Sequence, residues 1–544
     1  MSVQRRMGSS LRLSWPLHCG VKLLSLNIIV PSPMHRRLLN VERLLADFET
    51  EFPRLEGCLK KGPAMLRRLP GEHPGLFTDM YHPDAAYVSW VSGRNGLTTF
   101  DLYVRAAPFG GAYMLVAGLE EALNFVQSFR YSPDELAFLA RIRDYDAAFL
   151  DELSTLRFSG EILAMAEGEI AFPNEPILRV TAPFREALLV ESGLLQAINL
   201  ATLIATKAAR VVWAARGRRV SEFAFRRAQN PLVVARSASI GGCSSTSLLA
   251  AAYEYRLPAT GTMPHALIEL FPSEEDAFTA TAESFNRYTL LLDTYDPRHA
   301  IHTAITVARR VSEDLGHTLA AVRLDSGDIA GDSRYVREQL RQAGMEHVRI
   351  LASGDLDEWA IADLLAAGAE VDAFGVGTAL GTGAGNVEHG VSGGALGGVY
   401  KEAWYVEEDG NGHPKLKIAG SKTTWPGRKE VYRHPAWEED VIALDQEAPP
   451  VGYHRLFRPV MRQGHIIPGS LPPLSEVWEL AQANLRALPE QYHALNAPAP
   501  YPVHISDGLR ALQASASQLA AQAGNSGPAE STEPATRSGK QQDG

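Results

Sequence analysis

Four short apolar segments in the middle of the chain are each followed at once by Asp, Ser, Thr or Gly. These polar stretches begin at Asp293, Asp325, Ser353 and Gly377. Carboxylates and hydroxyls can hold a ribose and a metal ion, and glycine turns with free N–H groups suit phosphate. Each residue type alone is also an ordinary helix cap or turn residue. Four such stretches in succession favour a ligand site.

The segments around these stretches alternate between strand and helix patterns. Apolar runs predict strands at 288–292, 319–324, 348–352 and 371–376. A helical apolar period predicts helices between them, the first from Pro297 to Gly316 and the others ending near Gly344 and Gly368. Asp355 and Glu358 are spaced as in a capping box at the third helix. Repeated strand–helix units predict parallel strands, whose carboxyl ends hold the ligand site of such folds.

Two common phosphate-binding motifs are missing from the sequence. No GxxxxGK[ST] pattern occurs, which excludes a P-loop. The stretch from Gly375 to Gly381 misses the GxGxxG spacing by one residue, so no Rossmann site is predicted.

Composition narrows the class of protein. The chain has 544 residues, of which 45% are hydrophobic and 21% charged, as in globular proteins of more than one domain or with large elaborations. A mean hydropathy of −0.11 and the lack of an 18-residue apolar run argue against a membrane span. A net charge of −11 argues against nucleic-acid binding. Three cysteines without CxxC spacing favour a reducing compartment, and we expect a cytoplasmic protein.

The two chain ends differ from the rest. The first forty residues contain six basic residues and no acidic one, which leaves two alternatives open, a targeting segment or an extension outside the folded unit. Residues 523–544 are rich in Gly, Ser, Pro, Gln and Glu, so we expect a disordered tail. We assign residues 1–70 to a partly disordered N-terminal extension.

A series of motifs in a fixed order covers about residues 75 to 435. They are Thr78–Tyr81, Pro108–Tyr113, Ala117–Glu120, Phe172–Pro176, Leu203–Arg210, Phe225–Gln229, Ile240–Cys243, Gly261–His265, Arg323–Asp328, Ala352–Asp355 and Pro426–Arg433. Through these motifs the chain resembles the nicotinate phosphoribosyltransferase family, and the joint match is highly specific.

The resemblance implies a fold and a reaction. The fold is α/β: an irregular, seven-stranded α/β barrel of the type II phosphoribosyltransferase kind, with an outer α+β domain made from both chain ends. We therefore expect the barrel in residues 186–394 and the outer domain in residues 71–185 with 395–522. The implied reaction joins nicotinate and phosphoribosyl pyrophosphate into nicotinate mononucleotide and pyrophosphate, with ATP as co-substrate and Mg²⁺ as cofactor, in NAD salvage. A head-to-tail homodimer with active sites at the interface is also implied.

The resemblance assigns roles to individual residues. Arg227 and Arg323 match positions used around nicotinate and phosphate, and an Arg suits the carboxylate of nicotinate better than a Lys. Tyr81 and Phe109 are candidates to stack on or border the pyridine ring. Asp325 is a catalytic candidate, with Asp325 or Asp328 near the ribose or Mg²⁺, although no residue is assigned as a dedicated metal ligand. The other substrate-binding candidates are Thr262, Ser326, Gly327, Ser353, Gly354, Gly375, Gly377 and Thr378.

His265 is the implied site of energy coupling. In the family ATP phosphorylates the corresponding histidine, and the phosphoenzyme drives the reaction towards product. Pro264 and Ala266 depart from the family pattern, which commonly has Ala before and Ser after this histidine. The proline restricts the backbone and the missing hydroxyl removes a possible hydrogen bond, so the coupling is less secure than the transferase reaction.

Two other functions compete with this interpretation. A nicotinamide phosphoribosyltransferase would favour a carboxamide-binding acceptor over an Arg clamp. A non-catalytic sensor of nicotinate or phosphoribosyl pyrophosphate is motivated by the altered neighbours of His265, but the retained loops at Asp325 and Ser353 speak against it.

Overall fold

Six parallel strands carry the predicted site in the computed structural model, which describes residues 2–5, 10–14, 26–29, 73–418 and 423–525. In chain order the strands are β1 (Arg219–Glu222), β2 (Ser245–Thr246), β3 (Arg287–Leu291), β4 (Thr318–Leu324), β5 (Arg349–Ala352) and β6 (Ala373–Val376). Their order in the sheet is β2-β1-β6-β5-β4-β3, and every neighbouring pair is parallel. All six carboxyl ends therefore point to one edge, hereafter the carboxyl edge.

The four strands and the three helices between them that the sequence predicts are confirmed. The first helix runs over Pro297–Leu315, with Asp296 capping its start and Gly316 ending it at a φ of 71°. This is the proline-first, glycine-last pattern that the sequence shows. The predicted capping box is wrong: the third helix is capped by Asp357, whose carboxylate accepts from the N–H of Ala360.

Helices precede, separate and follow these strands. The α-helices are Tyr81–Val91, Leu119–Ser128, Pro133–Ile142, Ala147–Thr155, Phe184–Leu189, Glu191–Ala214, Pro231–Ile240, Leu249–Tyr255, His265–Glu269, Glu274–Ser284, Pro297–Leu315, Ile329–Gln342, Glu358–Ala366, Thr378–Gly381, Leu474–Ala487 and Asp507–Asn525. The described residues also contain short 3-10 helices at Pro74–Leu76, Pro108–Gly110 and Glu490–Tyr492.

The flanking parts of the chain form sheets that are antiparallel except for one parallel pair, Asp440–Leu444 with Val503–Ile505. A seven-stranded sheet contains, in spatial order, Gly412–Pro414, Gly398–Val406, Leu97–Val104, Pro176–Pro183, Glu161–Ala164, Arg458–Arg462 and His465–Ile466. A four-stranded sheet contains His454–Arg455, Lys429–Arg433, Asp440–Leu444 and Val503–Ile505, and Met114–Leu115 pairs with Ile170–Ala171. Separate hydrophobic clusters lie against the parallel strands and against the seven-stranded sheet.

The helix Glu191–Ala214, hereafter the long helix, is long and apolar enough to span a membrane. However, 78% of its most apolar 18-residue stretch is buried within the protein. Its apolar surface already packs on other elements, as in a core helix.

The expected barrel is met in part. In the described residues the parallel sheet has six strands where seven are expected, and no ladder there joins β2 to β3. An isolated parallel bridge from Thr246 to Ala259 continues the sheet beyond β2. The described residues from His73 to Asn525 form one compact unit.

The ends of the chain are described only in pieces. Ser2–Arg5, Ser10–Ser14 and Leu26–Ile29 form an antiparallel sheet of their own. At the other end the last helix reaches Asn525, three residues into the predicted tail. The rest of the predicted extension and tail, including residues 526–544, lies outside the described residues.

Candidate active site

Arg323 connects three loops at the carboxyl edge. It is the next-to-last residue of β4, and its Nε donates to Ser353 Oγ at 2.6 Å. Its Nη1 donates to Thr262 Oγ1 at 2.7 Å, and its Nη2 donates to the carboxylate of Asp325. A planar guanidinium can serve three acceptors in fixed directions, which an ammonium cannot do. Four residues predicted separately from the sequence thus form one group, hereafter the Arg323 cluster.

Asp325 is held as an anion in this cluster. Its Oδ1 also accepts from Ser353 Oγ at 2.5 Å. Partial burial pushes the pKa of Asp325 upward, but the hydrogen bonds from Ser353 and Arg323 and the positive charge of Arg323 outweigh it, so that the pKa lies below its ordinary value. The side chain therefore enters a reaction near neutral pH as a carboxylate.

Asp293 supports the same loop from the neighbouring strand. Its Oδ2 accepts from the backbone N–H of Asp325 at 2.8 Å and from Ser326 Oγ at 2.7 Å. Its Oδ1 is buried and has no hydrogen-bond partner in the described part of the chain. The sequence places Asp293 at a strand end but does not assign it to the site, because local sequence does not show that it faces the next loop.

His265 lies beside the cluster and is the first residue of the helix His265–Glu269. Its Nε2 is 3.8 Å from Asp325 Oδ2, and its Nδ1 is 3.1 Å from Thr294 Oγ1. The side chain is 40% exposed, so one side of the ring is open to a ligand. The two catalytic candidates are thus brought together.

The neighbours of His265 fit the backbone. Pro264 adopts a φ of −81° with extended ψ, a conformation that proline accepts. The hydroxyl missing at Ala266 has a counterpart in Thr294, which contacts the ring from the loop after β3. The departure from the family pattern therefore leaves the imidazole with a hydroxyl neighbour.

Two of the predicted glycines are required by close packing. Gly354 has a φ of 113°, and a Cβ there would lie 2.4 Å from the carbonyl oxygen of Asp325. A Cβ on Gly375 would lie 2.4 Å from the ring of Phe223. Only glycine lets these backbones approach so closely. Gly354 thus seats the β5 loop against the β4 loop.

The other loop candidates lie at the same edge. Gly327 has a φ of 75°, and Asp328 caps the following helix by accepting from the N–H of Gly331 at 2.9 Å. Gly377 and Thr378 follow β6 and open a short helix. Their proposed contacts with phosphate stay predictions.

Arg227 lies in the loop after β1. The loop is anchored by the buried Glu222, which accepts from the backbone N–H of Ala224 and, at 2.5 Å, from Thr246 Oγ1. Burial raises the pKa of Glu222 above its ordinary value. The side chain of Arg227 is exposed and has no ion pair in the described part of the chain. It is therefore an unused guanidinium at the carboxyl edge.

The two aromatic candidates lie apart from the cluster. Tyr81 begins the helix Tyr81–Val91, is 57% exposed, and its ring contacts that of His82. Phe109 is 2% exposed and has a φ of 60°. Within the described residues, neither ring has a hydrogen bond or ring contact to the Arg323 cluster. Their expected role beside the pyridine ring stays a prediction.

A buried ion group lies behind the β5 loop and was missed by sequence analysis. Lys207 Nζ is 2.5 Å from Glu358 Oε2, and Arg210 Nε donates to Glu358 Oε1 at 3.0 Å. Both cations also lie over the rings of Phe109 and Trp359. Burial lowers the pKa of Lys207, although Glu358 opposes the shift. The signal was present as two cations on an otherwise apolar stretch of the long helix.

Comparison with known proteins points to one family. The model of the nicotinate phosphoribosyltransferase N-terminal domain matches residues 76–199, and that of the C-terminal domain matches residues 446–513. A nicotinate phosphoribosyltransferase of Mycobacterium tuberculosis is 37% identical over 446 residues, covering 80% of this chain and 93% of its own. One of Bacillus subtilis is 36% identical over 465 residues, covering 79% and 93%.

Solved structures agree with the sequence relatives. The crystal structure of human nicotinic acid phosphoribosyltransferase superimposes with a TM-score of 0.71 at 29% identity, covering 80% of this chain and 99% of that one. The two proteins therefore share an α/β fold over most of this chain.

Proposed function

The chain belongs to the nicotinate phosphoribosyltransferase family of NAD biosynthesis, and we propose that it catalyses this reaction at the carboxyl edge, coupled to ATP hydrolysis through His265. The pyridine nitrogen of nicotinate attacks C1 of phosphoribosyl pyrophosphate, the bond from C1 to oxygen breaks, and pyrophosphate leaves. The observation that carries the proposal is the Arg323 cluster beside His265.

Arg227 is the proposed partner of the nicotinate carboxylate. All three nitrogens of Arg323 already donate to Ser353, Thr262 and Asp325. Arg227 is exposed at the same edge and can offer a bidentate contact to a carboxylate. The two arginines thus have different proposed roles: Arg323 organises the loops, and Arg227 binds the carboxylate of nicotinate.

The phosphoribosyl group is proposed to lie over the loops after β4, β5 and β6. Hydroxyls of Ser326 and Ser353 and the N–H groups of the glycine turns offer donors to phosphate. The attacking nitrogen already has a free lone pair, so no strong base is needed. Catalysis then depends on positioning and on donors fixed before the pyrophosphate leaves.

Asp293 and Asp325 fit a magnesium ion brought in by the substrate. The buried Oδ1 of Asp293 has no partner in the described residues, and Asp325 is anionic. Mg²⁺ typically binds one or two carboxylates together with substrate phosphates. When bound, it would offset the charge that develops on the leaving pyrophosphate.

His265 is proposed to accept the γ-phosphoryl group of ATP. A ring nitrogen forms a bond to phosphorus, the bond to the β–γ bridging oxygen breaks, and ADP leaves. Asp325 at 3.8 Å would stabilise positive charge on the phosphorylated ring, and Thr294 would orient it. Later hydrolysis of the phosphohistidine returns the enzyme and releases phosphate.

We also propose the larger assembly that the family resemblance implies. The six parallel strands would belong to a seven-stranded barrel within residues 186–394, in which the bridge at Ala259 marks the additional strand. Two chains would form a head-to-tail cytoplasmic homodimer, in which exposed Tyr81 completes the active site of the other chain. Mixing Tyr81→Ala with His265→Ala protein tests this, because only shared sites restore activity.

Product analysis tests the reaction itself. Purified protein is given phosphoribosyl pyrophosphate and Mg²⁺ with nicotinate or nicotinamide, each with and without ATP. We expect nicotinate mononucleotide, stimulation by ATP, and loss of that stimulation in His265→Ala. Arg227→Ala should raise the KM for nicotinate, whereas Arg349→Ala, an exposed arginine at the start of β5, should not.

Other outcomes would contradict the proposal. Formation of nicotinamide mononucleotide in preference to the acid product would favour the nicotinamide enzyme. Binding of nicotinate without any product under all conditions would favour a sensor.

A further inference from the structure

A cavity of about 810 Å³ lies at the opposite edge of the parallel sheet. It is lined by the turn Arg216–Arg218 before β1, by the residues before β2, and by the end of the helix Leu474–Ala487. The amino ends of the parallel strands all lie at this edge, hereafter the amino edge. It is separated from the carboxyl edge by the length of the strands. The cavity is within the size range of small-molecule sites.

The lining of this cavity is strongly positive. Four arginines contribute to it, Arg216, Arg218, Arg219 and Arg486, against one carboxylate, Glu490. In the part of the chain that the structure describes, none of the four arginines forms an ion pair. The chain as a whole carries a net charge of −11, so this concentration of unpaired cations runs against its composition. Such a site attracts an anion, and guanidinium groups suit phosphate.

Cations also stabilise the carboxyl ends of helices. The long helix ends at Ala214 and another helix ends at Ala487, so Arg216 and Arg486 have a structural role open to them. That role accounts for one cation at each helix end. Arg218 has a structural contact of its own, since its Nε donates to the carbonyl oxygen of Val371 at 2.9 Å. Neither role accounts for Arg219, which lines the same cavity at the start of β1.

One wall of the cavity is a flat aromatic surface. The indole of Trp213 stacks on His493 with ring centroids 3.8 Å apart and planes within 9°. His493 is buried, its Nε2 lies 3.0 Å from the carbonyl oxygen of Leu485, and burial lowers its pKa, which favours the neutral ring. Trp213 is still 41% exposed, so part of the indole remains available to a ligand ring.

We propose that this cavity binds a nucleoside phosphate, with its base against Trp213 and its phosphate groups among Arg216, Arg219 and Arg486. A planar base and a phosphate are the two chemical features that the aromatic wall and the cations recognise together. This site is distinct from the carboxyl edge, and its occupancy does not depend on the reaction proposed there.

Calorimetric titration of the full chain tests the site. The protein carries Arg323→Ala, to weaken binding at the carboxyl edge, and AMP, adenosine and inorganic phosphate are the separate probes. We expect AMP to bind more tightly than adenosine or phosphate. Adding Arg216→Ala and Arg486→Ala should weaken AMP binding by about tenfold or more, since each removes a charge-assisted contact.

Further variants separate the ring from the charge. Trp213→Leu should weaken AMP binding and leave phosphate binding unchanged. Arg462→Ala removes a cation outside the cavity, on the strand Arg458–Arg462, and should change nothing. If the double alanine variant does not fold, AMP binding is measured with Arg216→Gly instead and should again be weakened. Glycine is suitable there because Arg216 has a φ of 49°, which glycine accepts.

Two results would overturn the proposal. AMP binding that is unchanged by the loss of Arg216 and Arg486 would remove the cavity as the site. AMP binding no tighter than phosphate binding would reduce it to a general anion site without recognition of a base.

Discussion

The two edges of the parallel sheet differ in how their charges are partnered. At the carboxyl edge, Arg323 donates to three acceptors, and Asp325 accepts from both Arg323 and Ser353. At the amino edge, the arginines around the cavity, such as Arg216 and Arg486, have no ion pair in the described residues. Charged residues that hydrogen-bond to one another fix a geometry, whereas cations without an ion pair create a positive electrostatic potential. The first suits catalysis by positioning, and the second suits recruitment of an anion.

The largest expected effect concerns the hub of the carboxyl edge. Arg323→Ala removes the donor shared by Thr262, Asp325 and Ser353, so we expect kcat/KM to fall about a thousandfold, as for the loss of a preorganised donor. Steady-state kinetics with nicotinate measure this. Arg323→Lys should recover little, because one ammonium cannot serve three directions.

Arg349→Ala at the amino end of β5 is the matched control and should keep full activity. A loss of less than about tenfold in Arg323→Ala would show that the edges do not differ in this way.

The next effect concerns the buried ion group behind the β5 loop. Glu358→Gln leaves Lys207 and Arg210 buried without their anion, which should lower the free energy of unfolding by about 3 kcal/mol. Urea denaturation measures this. The control is Glu370→Gln, whose partner Arg341 is exposed, and it should cost less than about 1 kcal/mol. Equal losses of unfolding free energy in Glu358→Gln and Glu370→Gln would mean that burial does not make the ion group more important for stability than an exposed ion pair.

A smaller effect tests the contact between the β4 and β5 loops. Gly354→Ala places a Cβ 2.4 Å from the carbonyl oxygen of Asp325, which should displace the loop and lower kcat/KM about tenfold. The control is Gly316→Ala, since Gly316 also has a positive φ, of 71°, but open space around it. That variant should lose stability and keep its kcat/KM. An active Gly354→Ala enzyme would show that the loops need not touch.

The smallest effect is the pH dependence of Asp325. Its pKa is lower in the folded protein than in the unfolded chain, so its contribution to stability is complete above about pH 4 and is lost as the pH falls through the folded-state value. Urea denaturation of wild type and Asp325→Asn should show a constant gap from about pH 5 to 7 that narrows below about pH 4.

Asp314→Asn is the control, since Asp314 is exposed and has no ion pair in the described residues. It should show almost no gap at any pH. A gap for Asp325→Asn that widens on acidification would contradict the expected sign.

Local periodicity was sufficient to predict the four strands and the three helices between them, because each element is complete within one short stretch of chain. Proline and glycine marked the helix Pro297–Leu315 at both ends. The cap at Asp357 was assigned wrongly to Asp355, since either aspartate suits a helix start by residue type. The meeting of His265 with Asp325 followed from the family motifs, whereas Asp293 needed the spatial register of two loops.

Long-range contacts could not be predicted from the sequence. Lys207 and Glu358 lie on different helices, and no local pattern relates them. The same holds for the cavity at the amino edge, where Arg216 and Arg486 come from distant parts of the chain. The position of β6 between β1 and β5 likewise depends on pairing between distant segments.

The strand order has a consequence for synthesis on the ribosome. β6 lies between β1 and β5, with Arg219 paired to Ala373. Translation from β1 to β6 takes on the order of ten seconds, during which β1 can pair with β2 but has no β6 on its other side. β3, β4 and β5 are made in sequence and can pair as they emerge. We therefore expect the nascent chain to expose the free edge of β1 until β6 has been made. Chaperone protection is then needed most during the synthesis of the residues between β1 and β6.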